Sequence, residues 1–367
     1  MKKDFTILYL KKIVFFILFI LVLLGLIFIY SSSYYLSYIN TKNCFYFIFK
    51  QIFGLLISFI CMIFFSCIDS KIYYKYAKYT FYIFLFLCFL TQISFIGVKI
   101  NGAKRWINLL LFTFQPIEFF KPFYILYISK IISSNQYDSY ATFINLIYAS
   151  MISSIVLLMQ PDFGQTVILL FITLFLFILT HPKKNILYFF LILFLSIIIF
   201  LAISKPYRIK RLLIFLNPWV DPQGAGFQII QSLIAIVNGG FFGVGIGKSL
   251  QKYFYLPMQH TDFIYSIICE EIGLIGGVFI MFLFFIIALL ISFIGSKVKN
   301  QFESFYIYGL SLLIMMQSSM NILVVMAALP TKGIGLPFIS YGISSIIGFG
   351  IALGIFNSFT LSNQNIK

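Results

Sequence analysis

Long apolar runs constrain this chain more than any other feature. Ten stretches of mostly apolar residues, each near the length of a membrane crossing, recur along its 367 residues. A hydrocarbon core about 30 Å thick takes roughly 20 helical residues to cross, at about 1.5 Å per residue. Water is absent there, so every backbone N–H and C=O must be satisfied within a helix or a closed barrel. Barrel strands are about half as long as these runs, so helices remain. The spans fall near 13–32, 45–68, 77–98, 116–132, 141–159, 163–180, 186–204, 263–295, 304–328 and 338–360. The fourth and fifth are interrupted by polar residues. The expected fold class is an all-α integral membrane protein: a polytopic bundle of about ten transmembrane helices in a single membrane domain, 1–367. Composition agrees, with 61% hydrophobic and only 10% charged residues, where a soluble protein carries about 25% charged.

The first run follows Lys11 and Lys12, as the apolar part of a signal peptide would. It is too long, has no small-residue cleavage site and precedes further spans, so it reads as a retained helix. The five cysteines show no metal-ligand spacing, and their odd number argues against a disulfide framework. With only His181 and His260, a histidine-rich metal site is excluded.

An even number of spans puts both termini on one side, and the lysines at the start make that side cytoplasmic. It then holds thirteen basic residues against twelve opposite, which looks like no bias. Six of the twelve (Lys205, Arg208, Lys210, Arg211, Lys248 and Lys252) lie in one long extracytoplasmic loop, 205–262, and outside that loop the bias is clear. The loop carries only two acids, Asp221 and Asp262. Solvated surface charge is one reading of it. A surface that meets an anionic partner, such as a lipid phosphate, is the other. NPWVDPQGAGFQ (217–228) reads as ordered irregular backbone. Residues 229–250 read as an interfacial or re-entrant helix, broken at its glycines.

Asp262 stands out because the whole chain has ten acids, and charge at membrane depth is retained mostly for function. It closes QKYFYLPMQHTD, where the polar loop becomes a long apolar segment. A helix N-cap is one role for it. The other is a general base whose pKa partial desolvation raises. His260 reads as a hydrogen-bonding neighbour. In FQPIEFFKPFY, Glu118 and Lys121 share a helix face at i, i+3 and should pair inward; a purely structural ion pair competes equally with a substrate role. Arg105 and Trp106 in GAKRWI sit at the outer interface, where the arginine suits a phosphate and the tryptophan an interfacial anchor. In LPTKGIGLPFISYGISS, Lys332 lies in a Gly/Pro-shaped turn, and Ser340, Ser344 and Ser345 stand where a helix start favours anions. A tight interhelical turn is the plainer reading. Glu270 and Glu271 read as structural members of a polar network.

Two apparent motifs fail. GVGIGKS (243–249) lacks the first glycine of a phosphate loop, having Phe242 there, and no strand precedes it. PDFG (161–164) has nothing else of a kinase around it.

Read together, GAKRWI, FQPIEFFK, QPDFGQT, KPYRIKRLLIFLNPWVDPQGAGFQIIQSL, GVGIGKSLQKYFYLP, HTDFIYSIICEEIGLIG and LPTKGIGLPFISYG resemble the SEDS family of polytopic cell-wall proteins. They occur in the family's order from about residue 101 to 345. The PTKG segment and the QKxxYLP run are more like the family's division members than its elongation members. The resemblance implies a ten-helix fold in the bacterial cytoplasmic membrane, at the division septum. It also implies an inverting peptidoglycan glycosyltransferase that polymerises lipid II on the outer face. The family's catalytic acid falls on Asp262 and its charged pair on Glu118 and Lys121. A class B penicillin-binding protein (a transpeptidase) is the implied partner, beside other division proteins and membrane lipids, with no nucleic acid. The leaving diphosphate would meet some of Arg105, Lys121, Arg208, Lys252 and Lys332, with a divalent cation (Mg or Mn) as a further candidate whose ligands the sequence does not name. A lipid II transporter and a non-catalytic scaffold for the transpeptidase are the alternatives. Two departures stand out: Met258 replaces the family's acid before HTDF, and Ile343 replaces its second SYGG glycine, which demands an ordinary backbone conformation at 343.

Overall fold

The structure, a computed structural model, describes residues 2–93, 95–100, 102–108, 113–134, 139–180, 182–203, 205–253 and 255–362; His181 and Lys367 lie outside them. Among the described residues are twelve α-helices and one small sheet. In chain order these are α1 (Lys2–Thr41), α2 (Tyr46–Ser66), α3 (Ser70–Leu90), β1 (Gly97–Ile100), β2 (Ala103–Asn108), β3 (Thr113–Phe114), α4 (Pro116–Ser134), α5 (Ser139–Met159), α6 (Phe163–Ile178), α7 (Lys184–Ile203), α8 (Pro206–Leu216), α9 (Phe227–Gly239), α10 (Ile264–Lys297), α11 (Gln301–Val325) and α12 (Ile343–Ser362).

Each expected span coincides with a helix, namely α1 to α7 and α10 to α12. Six of these (α1, α2, α5, α10, α11 and α12) are long and apolar enough to cross a membrane. The others are shorter or interrupted by charge: α6 has 16 residues, and α4 carries Glu118 and Lys121. The third span is displaced from 77–98 to Ser70–Leu90. Asp69 caps its start by accepting from Lys71 N at 3.0 Å. Thr91 ends it, its Oγ1 donating to the carbonyls of Cys88 and Lys104. The backbone beyond then pairs in the sheet instead of continuing the helix.

That antiparallel sheet, ordered β1-β2-β3, is the addition to an otherwise helical fold. Val98 faces Trp106, and Ile107 faces Phe114. The sheet carries Arg105 and Trp106 on its middle strand.

α12 runs through the interior, packed on α2 and α4, with α11 beside it. Gly348, Gly350 and Gly354 allow this: a Cβ at each would overlap Glu118 O, Ser58 Oγ or Met62 O. Apolar burial does not drive helices together inside lipid, so such close backbone approach carries more of the packing.

The long loop is more ordered than the sequence suggested. It contains α8, which the sequence reading lacks, and a 3₁₀ turn over Pro218–Val220 follows it. α9 ends at Gly239, the first of the glycines expected to break this stretch. Ser232 Oγ pins it to Val325 O at 2.7 Å. The chain then enters a break in α10 at Gly273 (φ 74°). A regular helix would bond Leu274 N and Ile275 N to the carbonyls of Glu270 and Glu271. Here Leu274 N bonds Gly240 O and Ile275 N bonds Phe241 O, while Val244 N and Gly245 N take the Glu270 and Glu271 carbonyls. The loop and the broken helix therefore satisfy each other's backbone, as apolar surroundings require.

Candidate active site

Several interhelical connections converge on a cavity of about 580 Å³. β2, the start of α4, α6, α8, α9, the turn before α10, α11 and the 331–345 segment all contribute to its lining. Asp262, Arg105, Trp106, Glu118, Lys332, Ser340, Ser344 and Ser345 all line it, whereas Lys121 lies behind the lining.

Asp262 sits in the turn 258–263, where Met258 O accepts from Thr261 N and Phe263 N. Met258 adopts φ 57° to make this turn and also lines the cavity. The capping role for Asp262 is not realised: Phe263 occupies the N-cap of α10, without a side-chain cap. Among the described residues no hydrogen bond holds the Asp262 carboxylate. Burial pushes its carboxyl up to about 6; the pull of Arg105 opposes this and the charge of Asp162 adds to it.

Lys332 lies over the Phe163 ring at 4.3 Å, and Arg208 lies over the same ring at 5.3 Å. Burial pulls Lys332 down to about 8, against the attraction of Asp162. Arg211 donates to Thr331 O at 3.2 Å and so ties α8 to the lysine's loop. Lys332 and Arg211 line the cavity; Arg208, expected there from the sequence, does not. Arg105 is largely committed: it bonds the Gln160 and Pro161 carbonyls and lies 3.6 Å from Asp162, fixing the sheet to the start of α6.

The floor is polar. Glu118 and Lys121 pair at 2.6 Å, and Lys121 Nζ also donates to Gln317 Oε1 at 2.8 Å. Gln165 Nε2 reaches Glu118 at 3.4 Å. Ser344 is occupied in accepting from Gln115 N at 3.1 Å, where α4 begins. Ser340 Oγ donates to Thr261 O at 2.6 Å and accepts from Leu336 N at 2.7 Å. The two serines thus shape the cavity, and their hydroxyls are not free donors.

Two further expectations are corrected. Lys252 does not face the cavity: it is 1% exposed, bonds Gly247 O and lies 3.4 Å from Glu271. Its charge is used inside the loop, where a buried carboxylate needs a partner. His260 does not line the cavity either. Its ring packs on Phe47 and Tyr341, with centroids 4.6 and 5.8 Å away, and burial lowers it to about 4, so it is neutral. Glu270 and Glu271 behave as the expected network. Glu270 accepts from Ser249 Oγ and from Leu250 N, and Glu271 accepts from Ser31 Oγ at 2.5 Å. Ile343 starts α12 with an ordinary backbone, as its identity demands.

Sequence reasoning misses Gln165, Gln317 and Asn321. Gln317 and Asn321 stand at i, i+4 in an apolar run, one face of one helix, and polar residues buried in spans point to function. As for a divalent cation, no three His, Cys, Asp or Glu residues cluster among the described residues. Glu118 is paired with Lys121 and Asp162 with Arg105, which leaves Asp262 as a single hard ligand. The chain's own residues form no cage for such an ion.

A profile of the family described as cell cycle protein, comprising FtsW, RodA and SpoVE, matches residues 11–365. The probable peptidoglycan glycosyltransferase FtsW of Wigglesworthia glossinidia brevipalpis is 39% identical, over 96% of this chain and 94% of its own. Stage V sporulation protein E of Bacillus subtilis is 34% identical, over 92% and 93%. Among solved structures, a chain from work on structural coordination of polymerization and crosslinking by a peptidoglycan synthase complex superposes with a TM-score of 0.79, at 25% identity, covering 96% of this chain and 98% of that one. RodA of Thermus thermophilus superposes with a TM-score of 0.71 at 20% identity, covering 95% and 96%, a likeness of fold. The chain is a multi-pass membrane protein of all-α architecture, and it belongs to the FtsW/RodA/SpoVE family of cell cycle proteins.

Proposed function

We propose that this protein is a peptidoglycan glycosyltransferase that polymerises lipid II on the outer face of the cytoplasmic membrane during division. Asp262 is its general base, and a class B transpeptidase its partner at the septum. The observation that carries this reading is a carboxylate without a hydrogen-bond partner among the described residues, in a cavity that Lys332 and Arg211 also line. A base must be free to accept a proton and needs a pKa near working pH; a leaving diphosphate needs fixed positive charge. The cavity supplies both.

Asp262 takes the proton from the 4-hydroxyl of the acceptor's N-acetylglucosamine. The oxygen attacks the anomeric carbon of the lipid-linked donor. The bond from that carbon to the diphosphate oxygen breaks, and the electron pair leaves with the lipid diphosphate, inverting the centre. Lys332 and Arg211, which line the cavity, face the charge that develops. The Glu118–Lys121 pair, nearly neutral as a unit, holds the floor in shape. No step is routed through a metal, because the residues present do not form a site for one.

The test is polymerisation of lipid II in proteoliposomes that also carry the transpeptidase partner. Asp262→Asn, folded and inserted, should make no glycan strands. Strand synthesis by that variant would end the assignment. If the protein were a transporter, Asp262→Asn would still move lipid II across the bilayer; if it were a scaffold, the same variant would still activate the transpeptidase.

A further inference from the structure

Asp262 presents a physical problem for a base: among the described residues nothing hydrogen-bonds its carboxylate to aim it. Its direction must then come from the backbone that carries it. Asn321 on α11 is 2% exposed and does not line the cavity. Its Nδ2 donates twice at 2.7 Å, to the main-chain carbonyls of Asp262 and Ile334. An amide nitrogen has two hydrogens, and both are used. The flipped amide would set its oxygen against two carbonyl oxygens, so these partners determine the orientation.

The two carbonyls belong to different segments, the turn before α10 and the loop before α12. Ser340 makes a second tie between the same segments, through Thr261 O and Leu336 N. Gly333 directly precedes Ile334, one partner of Asn321, and a Cβ there would stand 3.2 Å from Asp262 Oδ2. A methyl group at that distance makes the carboxylate give way by a few tenths of an ångström, so a side chain at 333 would shift it.

We propose that Asn321 is a positioning residue for the transfer reaction, clamping the Asp262 turn to the Gly333 segment so that the carboxylate meets the acceptor hydroxyl from one direction. The proposal rests on Asp262 being the base. Misplacing a catalytic group by about 1 Å costs up to roughly a hundredfold in rate, which sets the scale of the effect.

Lipid II polymerisation in proteoliposomes is measured for the wild type, Asn321→Leu, Gly333→Ala, the double variant and Asp262→Asn. Asn321→Leu keeps the volume and removes both donors. Each of the two single variants should lower kcat by roughly ten- to a hundredfold while KM stays within about threefold. The double variant should lose no more than Asn321→Leu alone, because an unclamped loop yields to the added methyl group. Asn321→Leu within twofold of the wild type, a loss expressed in KM, or losses that multiply in the double variant would each overturn the clamp. If Asn321→Leu does not insert, Ser340→Ala releases the second tie and carries the same expectation against Gly333→Ala. Activity retained by Asp262→Asn would instead remove the base assignment. An inactive Asp262→Asn beside a fully active Asn321→Leu removes only the clamp.

Discussion

Lys121→Met isolates the energetics of the cavity floor. Lys121 and Glu118 side chains are 2% and 5% exposed and 2.6 Å apart. Without the ammonium, Glu118 keeps only a 3.4 Å bond from Gln165, and Gln317 Oε1 loses its donor. A buried charge left without its partner costs about 3–5 kcal/mol. At about 1.4 kcal/mol per decade that lowers the folded ratio by roughly two to three and a half decades. Glu118→Gln strands the opposite charge and should cost a similar amount. The double variant carries no charge at nearly the same volume, so it should return to within about 1–2 kcal/mol of the wild type. The assay is unfolding of the four proteins in detergent, by heat or denaturant, beside their accumulation in membranes. If the single losses simply add in the double variant, within about 0.5 kcal/mol, the two groups are not a coupled pair and the reasoning fails. Activity of the double variant then settles the two readings left by the sequence. Stable and active means scaffolding; stable and inactive means the charges serve the substrate.

The pH–rate profile of polymerisation should be a bell. Asp262 must be ionised, so the rate falls below about 6, and Lys332 must be charged, so it falls above about 8; Lys332→Arg should move the alkaline limb upward while leaving the acid limb in place. A raised carboxyl pKa means the native state binds its proton more tightly than the unfolded chain, so stability is lost as pH rises from the ordinary value of 3.8 through about 6. Asp262→Asn, which cannot ionise, should therefore be inactive yet more resistant to heat at pH 7.5, by at most about 3 kcal/mol. Gly273→Ala should abolish accumulation in membranes, because φ is 74° there and a Cβ would overlap Phe241 O and Gly243 N where the loop enters α10; normal accumulation would refute the described backbone exchange.

The residues legible in the sequence were those whose type is costly where the chain puts them. Asp262, Glu118 and Lys121 lie at or within apolar runs, and each such charge demands a partner or a function. Lys332, Arg105 and Trp106 were legible from loop chemistry. Lys252 misled because a lysine in a basic loop looks solvated, and nothing local shows that Glu271 will be turned toward it. His260 misled for the same reason, since the aromatic rings that bury it come from α2 and the loop before α12. Asn321 passed unnoticed because one amide in an apolar helix has no local meaning. Its partners lie 59 and 13 residues away.

Apolar length and the scarcity of charge dictate a helical membrane protein and most of its helix positions. Those properties follow from transfer out of water, which acts on each segment separately. The sheet that cuts α3 short, the exchange of backbone bonds at Gly273 and the burial of Lys252 needed the assembled bundle. So did the meeting of Asp262 with Gly333. Each depends on which unsatisfied group finds which partner across the chain, and local sequence carries no record of that pairing.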